Sequence, residues 1–346
     1  CKTWKWSRCS IRVLEKKYLG DLVMTKPKVL VTRKWPETVE KKVSENFDAK
    51  LNLTDSPMTE SELVNAMKEF DALLPTVTDK ISEKIISTKE RKVKIIGNFG
   101  VGFNNIDIDA AKKNNIVVTN TPEVLTDCTA DIAMLLMLGA ARRGSEGEFH
   151  VRKKEWDGWR PTHMMGTKVT GKTLGLVGMG RIAQAMAYKS HLGFRMNIIF
   201  YDPYFDNKEI IEKFNAISCK SLDELLSKSD FVSLHCPSTK ETQGLIDLDA
   251  LTKMKSSAYL INTARGDIVV EGDLVKALNE NLIRGAGLDV YEAEPYVNSE
   301  LLKLKNVFLL PHLGSATEET REAMGMRVFD NVANFFEGKE PKDRVV

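Results

Sequence analysis

The stretch Thr173-Leu-Gly-Leu-Val-Gly-Met-Gly-Arg-Ile-Ala-Gln-Ala-Met186 decides how the rest of the chain is read. Apolar residues lead into two close glycines, and small and apolar residues at helical spacing follow, which predicts a buried strand, a tight turn and a helix start. The centre, Gly178-Met179-Gly180-Arg181-Ile182-Ala183, fits G-x-G-x-x-G/A. In that pattern the first glycine allows the turn, the second lets backbone approach a pyrophosphate, and a small third residue lets helix and strand pack closely. The helix N-terminus offers free N–H groups and a positive dipole end to the phosphates. A lone match is weak, and context strengthens it. Asn197-Ile-Ile-Phe-Tyr-Asp202 is a second apolar strand ending in an acid, 19 residues beyond Ala183. A carboxylate there can accept bonds from an adenine-ribose diol.

Upstream, Val29-Leu-Val-Thr, Ala72-Leu-Leu and Val93-Lys-Ile-Ile predict strands, with helices over 37–43, 61–70 and 79–87. Strands alternating with helices imply parallel pairing through right-handed crossovers. Asn120-Thr-Pro breaks the pattern, and 126–141 predicts a long apolar helix, expected to be the hinge into a second domain. Arg142-Arg143-Gly144 suits that helix's C-terminus. Beyond Asp202, strands over 230–237, 258–262, 285–290 and 307–310 alternate with helices over 221–227, 247–253 and 271–280. The amphipathic helix 317–336 is expected to return to the first domain. The fold class is therefore α/β, with two doubly wound domains and a cleft between them. One domain is expected over 24–121 with 313–346, the other over 122–312.

The 346 residues carry 50 Lys+Arg against 48 Asp+Glu, a net charge of +2, so no global field argues for nucleic acid or an anionic membrane. Five cysteines without a C-x-x-C pair argue against a disulfide framework or a zinc knuckle, and a cytoplasmic home is expected. No metal site is expected. The longest apolar run, 132–141, is about half the roughly 18 residues of a membrane span. Residues 1–23 are basic, carry Trp4, Trp6 and Cys9, and lack a signal peptide's apolar core. They read as an N-terminal extension ahead of Met24, non-native or disordered; a transit peptide is the alternative, interrupted by Glu15 and Asp21.

Ligands of such sheets sit beyond the strands' carboxyl ends, where three titratable groups fall: Arg265, Glu294 and His312. Hydride transfer to a carbonyl needs a proton donor, a cation for a substrate carboxylate, and a group that keeps the donor charged near neutral pH. Histidine, arginine and glutamate fill those roles in that order. A guanidinium matches a carboxylate in a bidentate fork, and a carboxylate bonded to imidazole raises its pKa and orients it. Glu292 competes with Glu294 on sequence alone. His235 and Cys236 end a strand without a second ligand set and read as cofactor-pocket wall. His163 and His191 have no evident partners and read as solvated or capping.

Five ordered segments make the resemblance specific: Asn120-Thr-Pro-Glu-Val-Leu-Thr, Gly171-Lys-Thr-Leu-Gly-Leu-Val-Gly-Met-Gly-Arg-Ile, Asn262-Thr-Ala-Arg-Gly-Asp, Gly287-Leu-Asp-Val-Tyr-Glu-Ala-Glu-Pro and Pro311-His-Leu-Gly-Ser-Ala-Thr. They resemble the D-isomer-specific 2-hydroxyacid dehydrogenase family over nearly all of 28–337, and within it the glyoxylate/hydroxypyruvate reductase (glycerate dehydrogenase) branch. The resemblance implies a flavodoxin-like substrate domain and a Rossmann NAD-binding domain. It selects Glu294 over Glu292, makes His312 the acid/base, and makes Arg265 the substrate-orienting cation. It implies substrate contacts from the N–H groups around Val101 and Gly102, with Arg265, His312 and Ser315. It implies a cofactor cradle of Gly178, Gly180, Arg181, Ile182, Asp202, Pro237, Thr263, Asp289 and Gly314. The implied reaction is NAD(H)-dependent reduction of small 2-oxo acids such as glyoxylate and hydroxypyruvate to D-2-hydroxy acids.

Position 183 is Ala where glycine is commoner, which the packing role tolerates. Asp202 stands where NADP-preferring relatives tend to place Ser or Thr with an Arg, so NADH is expected over NADPH, with Lys208 as the residue that could offset it. Trp159 matches a tryptophan that reaches a partner's site in this branch, which implies a homodimer. Phosphoglycerate or another 2-hydroxy acid is the alternative substrate, disfavoured by the absence of the extra regulatory domain that many phosphoglycerate enzymes carry. A dinucleotide-sensing corepressor-like scaffold is the alternative of another class, since fold does not imply function.

Overall fold

The computed structural model describes residues 26–346, so the expectations for 1–23 lie outside the described residues. The first sheet is built from β1 (Lys28–Val31), β2 (Asp48–Leu51), β3 (Ala72–Leu74), β4 (Ile95–Gly97) and β5 (Val117–Thr119). Its order, β2-β1-β3-β4-β5, is the flavodoxin-like doubly wound order. Helices α1 (Glu37–Asn46), α2 (Glu60–Glu69), α3 (Glu83–Ile86) and α4 (Ile108–Lys113) connect the strands. Thr59 and Glu62 form a reciprocal capping box that starts α2. The predicted helix over 79–87 shrinks to α3 because Asp79 is used elsewhere. Its carboxylate accepts from the Thr32 hydroxyl at 2.7 Å and the Thr76 N–H at 2.8 Å, tying the ends of β1 and β3 together.

After β5 come α5 (Thr126–Ala141) and α6 (Gly144–Arg152). The second sheet follows with β6 (Thr173–Val177), α7 (Arg181–Tyr188), β7 (Asn197–Tyr201), α8 (Lys208–Lys213), β8 (Ile217–Ser218), α9 (Leu222–Lys228) and β9 (Phe231–Leu234). It continues through α10 (Leu248–Lys253), β10 (Tyr259–Asn262), α11 (Glu271–Asn279), β11 (Gly285–Leu288) and β12 (Val307–Leu309). The order β12-β11-β10-β9-β6-β7-β8 reverses direction between β6 and β9, the switch point where dinucleotides bind. Both sheets are parallel throughout.

Register brings the strand ends level. Val177 pairs with Tyr201 and Leu234, Leu234 with Asn262, Asn262 with Leu288, and Leu288 with Leu309. The residues that follow these ends therefore share one edge. The core beneath is apolar and interdigitated: the Phe231 and Tyr259 rings stack at 5.2 Å, and Phe200 is fully buried.

Helix α5 lies against the second sheet, with Leu136 so close to β11 that a Cβ on Gly287 would come within 2.9 Å of it. Helix α5 ends at Ala141 with Arg142 as its C-cap, as expected, but the glycine is not what ends it. Arg143 takes the left-handed conformation (φ 56), and Gly144 opens α6. A Cβ on Gly139 would meet the Phe308 ring at 2.7 Å, and one on Gly144 would meet it at 3.1 Å, so close packing on β12 explains both glycines. The final helix, α12 (Glu318–Phe336), is capped by Thr317 and packs on the first sheet. There Val328 and Val332 cover Gly97, where a Cβ would lie 2.7 Å from Val328.

Candidate active site

A cleft of about 820 Å³ runs along the carboxyl edges of the strands, with walls from both sheets. It is lined by Val101 and Gly102 from the first layer, and by Gly180, Arg181, Ile182, Asp202, Pro237, Thr263, Arg265, Asp289, Glu294, His312, Gly314 and Ser315 from the β6–β12 side. Gly178 lies behind this surface rather than on it. Its φ is 85, a region that favours glycine, and a Cβ there would come within 2.9 Å of the Cys236 nitrogen.

The glycine turn has the features a dinucleotide needs. A Cβ built on Gly180 meets nothing within 4 Å, so the backbone is bare toward the open cleft at the start of α7. Asp202 accepts from the Met179 N–H at 2.9 Å through one oxygen and from the Tyr204 N–H at 2.9 Å through the other, which fixes the carboxylate at the end of β7. Thr263 Oγ1 is buried without a hydrogen-bond partner among the described residues, an orphan that a ligand polar group can satisfy. His235 and Cys236 form the facing wall. Burial pushes the His235 imidazole down to about 4 and the Cys236 thiol up to about 11, leaving both neutral and inert near pH 7. These observations fit a nicotinamide dinucleotide.

The other half of the cleft holds the charged groups. His312 Nδ1 lies 2.7 Å from Glu294 Oε2, and Nε2 has no protein partner among the described residues. Burial works to raise the Glu294 carboxyl, but the His312 hydrogen bond and charge outweigh it and hold the group below the usual glutamate range. Glu292, the competitor, is exposed and makes no bond to His312; its N–H instead binds Glu271 at 2.7 Å. Arg265 crosses to the first layer, where a Cβ on Gly102 would lie 1.9 Å from Nη2. Burial pulls its guanidinium below the ordinary value, opposed by Glu294 and Asp267. A planar cation and an imidazole paired with a carboxylate can bind a small carboxylate and deliver a proton to an adjacent oxygen.

His312 has φ 56, an uncommon conformation for a non-glycine residue. Asp289 imposes it from the end of β11: its carbonyl accepts the His312 N–H at 2.9 Å, and its carboxylate accepts the Leu313 and Gly314 N–H groups at 2.6 and 2.8 Å. Thr129 from α5 adds a bond to the Gly314 carbonyl at 2.8 Å. The predicted helix over 126–141 starts where expected, at Thr126, with no side-chain cap. Sequence reasoning missed these clamps, because nothing in a linear pattern says that Thr129 and Gly314 meet. It also missed Arg321 on α12, whose position on the C-terminal helix gave no sign that it lines the cleft.

Two histidine readings need correction. His191 Nδ1 lies 3.1 Å from the Met196 carbonyl, and His163 packs on His150 with ring centroids 5.4 Å apart, so both have partners. Trp159 lies outside the cleft walls and is 80% exposed. Among the described residues no metal-binding cluster is present and no helix is long and apolar enough to cross a membrane.

Two doubly wound parallel sheets, a glycine turn at the switch point and a histidine–carboxylate pair beside an arginine define a dinucleotide-dependent oxidoreductase acting on CH–OH groups. Residues 134–314 match the D-isomer specific 2-hydroxyacid dehydrogenase, NAD binding domain. The chain is 45% identical over 324 residues to glyoxylate reductase of Thermococcus litoralis, covering 92% of this chain and 97% of that one. It is 38% identical over 317 residues to glycerate dehydrogenase of Hyphomicrobium methylovorum, covering 92% and 98%. Its fold is similar to the holo form of Rhodotorula graminis D-mandelate dehydrogenase, with a TM-score of 0.84 and 28% identity over 93% of this chain and 98% of that one. The chain belongs to the D-isomer specific 2-hydroxyacid dehydrogenase family.

Proposed function

We propose that this protein reduces glyoxylate and hydroxypyruvate to glycolate and D-glycerate with NADH. The observation that carries the reading is the 2.7 Å His312–Glu294 pair in a cleft where Arg265 lies against Gly102. Similarity to proteins named glyoxylate reductase and glycerate dehydrogenase supports the substrates. The cofactor, when bound, supplies a hydride to C2 of the oxo acid. Arg265 and the N–H groups around Val101 and Gly102 hold the substrate carboxylate, with Ser315 beside them. His312 gives its proton to the C2 oxygen, and Glu294 favours the imidazolium that must be present beforehand. The substrate domain is 24–121 with 313–346, the cofactor domain is 122–312, and closure of the cleft excludes water before transfer.

Gly180, Arg181 and Ile182 hold the pyrophosphate end, with Gly178 shaping the turn behind them, Asp202 the adenine ribose, Pro237 the adjoining wall, and Thr263, Asp289 and Gly314 the nicotinamide end. NADH is preferred because a carboxylate at 202 repels a 2′-phosphate, and Lys208 is not among the residues lining the cleft. The protein is a cytoplasmic homodimer. Supporting the dimer, α6 buries none of its residues, and Phe149, Trp156, Trp159 and Met165 around it are 56%, 55%, 80% and 63% exposed. A panel of 2-oxo acids assayed with NADH and NADPH tests the reading. Fastest turnover is expected with NADH and hydroxypyruvate or glyoxylate; 3-phosphohydroxypyruvate outpacing both, or no turnover of any oxo acid, would overturn it.

A further inference from the structure

Strands β4 and β5 lie side by side, and each is followed by an asparagine. Asn98 continues the pairing beyond β4, its N–H donating to the Thr119 carbonyl at 2.9 Å, and Asn120 follows β5. The loop 100–103 is bonded to both side chains. Asn98 is 0% exposed, and its Nδ2 donates to the Gly102 carbonyl at 2.9 Å and reaches the Gly100 carbonyl at 3.5 Å. Asn120 Nδ2 donates to the Val101 carbonyl at 2.8 Å. The Gly100 carbonyl also accepts the Thr121 N–H at 3.0 Å. Three consecutive carbonyls are therefore held from the β4–β5 side.

A relay fixes which way the Asn98 amide faces. Asn105 Nδ2 lies 3.0 Å from the Thr76 carbonyl and 3.2 Å from the Asp79 carbonyl, so that end must be the donor. The same nitrogen donates to Asn98 Oδ1 at 3.2 Å, which leaves Asn98 its Nδ2 for the loop. A peptide unit is planar and trans, so its C=O and N–H point in opposite directions. Holding the carbonyls of Gly100, Val101 and Gly102 therefore aims the N–H groups of Val101, Gly102 and Phe103 the other way. Among the described residues none of these three N–H groups donates a hydrogen bond. Val101 and Gly102 line the cleft, and a Cβ on Gly102 would lie 1.9 Å from Arg265 Nη2. Free donors and a guanidinium thus meet on one wall, an arrangement suited to an anion.

We propose that Asn98 and Asn120 are positioning residues for the substrate carboxylate: by holding the carbonyls of the loop from behind, their amides keep its N–H groups turned toward the anion. The inference rests on the reading of this loop as the carboxylate site. Neither side chain touches the substrate; each acts through the backbone. Donors fixed before binding need no reorganisation when the anion arrives, and a loop free to turn its carbonyls inward would present the wrong charge. The signature is a loss in oxo-acid affinity with the cofactor site intact, because the cradle holds the carboxylate in the ground state and the transition state alike.

The test compares the parent with Asn98→Leu, which keeps the size of the side chain and removes its donors, and with Asn120→Ala. Three quantities are measured in each: the dissociation constant of oxamate from the enzyme–NADH complex, KM for hydroxypyruvate, and the NADH dissociation constant. Oxamate carries a carboxylate beside a carbonyl that does not accept hydride, so it reports binding alone. Both variants should weaken oxamate and raise KM by about tenfold, the scale of one lost hydrogen bond, with NADH affinity within about twofold of the parent. An oxamate constant changed by less than about threefold, or NADH affinity weakened in the same proportion as oxamate, would overturn the proposal. If Asn98→Leu fails to fold, Asn120→Ala decides by the same criteria, since it removes a single bond from a half-buried side chain. The parent separates the failures. If it neither binds oxamate nor turns over an oxo acid, the carboxylate reading falls and takes this one with it. Normal binding in the parent and in both variants rejects the asparagine role alone.

Discussion

His312 and His150 each present Nδ1 to a glutamate, at 2.7 Å from Glu294 and 3.3 Å from Glu155. The residue types are the same and the surroundings differ. The Glu294 side chain is 33% exposed and lies within the influence of Arg265, whereas the Glu155 side chain is 55% exposed on the segment after α6. His312 is held in a left-handed conformation by Asp289 at a strand end; His150 lies on a regular helix, packed on His163. An imidazole–carboxylate pair becomes chemically useful when a substrate site, a second cation and a rigid backbone converge on it. Without them it contributes at most about 1 kcal/mol of surface attraction.

Removing the neighbours should break the distinction. Gly102→Ala places a methyl where Arg265 Nη2 now lies, 1.9 Å from the new Cβ, so the guanidinium must move. Steady-state kinetics should show KM for the oxo acid rising on the order of a hundredfold, since displacement of a positioning group can cost that much. A change under about threefold would mean that Arg265 does not orient the substrate.

Glu294→Gln keeps the shape of the pair and removes its charge. Turnover in reduction at neutral pH should fall about tenfold, because the imidazole loses the carboxylate that orients it. The carboxyl of Glu294 titrates below the usual glutamate range, so its contribution to stability is present above that range and lost as pH falls through the lowered value. The variant should therefore melt with a weaker dependence on pH on the acid side. The smallest effect is expected from Glu155→Gln, with turnover within about twofold of the parent, as befits an exposed pair.

Much of this architecture was legible in the chain because its signals are local. The glycine turn, Asp202 at the end of its strand, and the caps Ser221, Asp247 and Thr317 each lie beside the element they specify. Strand β2 gave no such signal: Asp48–Leu51 alternates exposed and half-buried residues at a sheet edge and never forms an apolar run. Strand β5 is three residues long, too short for a period to show. At the site, Arg265 and His312 could be picked out from their places after strands, whereas Glu294 was separated from Glu292 only by the family resemblance. The clamp that shapes His312 could not, since Asp289, Thr129 and Gly314 meet only through the fold. The family resemblance implied Asp289 in the cofactor cradle; the structure shows its carboxylate already engaged by two backbone amides.

The central claim is that the imidazole of His312 supplies the proton in a hydride transfer. It is tested most directly by purifying His312→Gln and measuring hydroxypyruvate reduction and NADH binding in the same preparation. The account predicts turnover lowered on the order of a thousandfold, the usual scale for losing a general acid, with the NADH dissociation constant within about twofold of the parent. Turnover near that of the parent, with NADH bound normally, would contradict it.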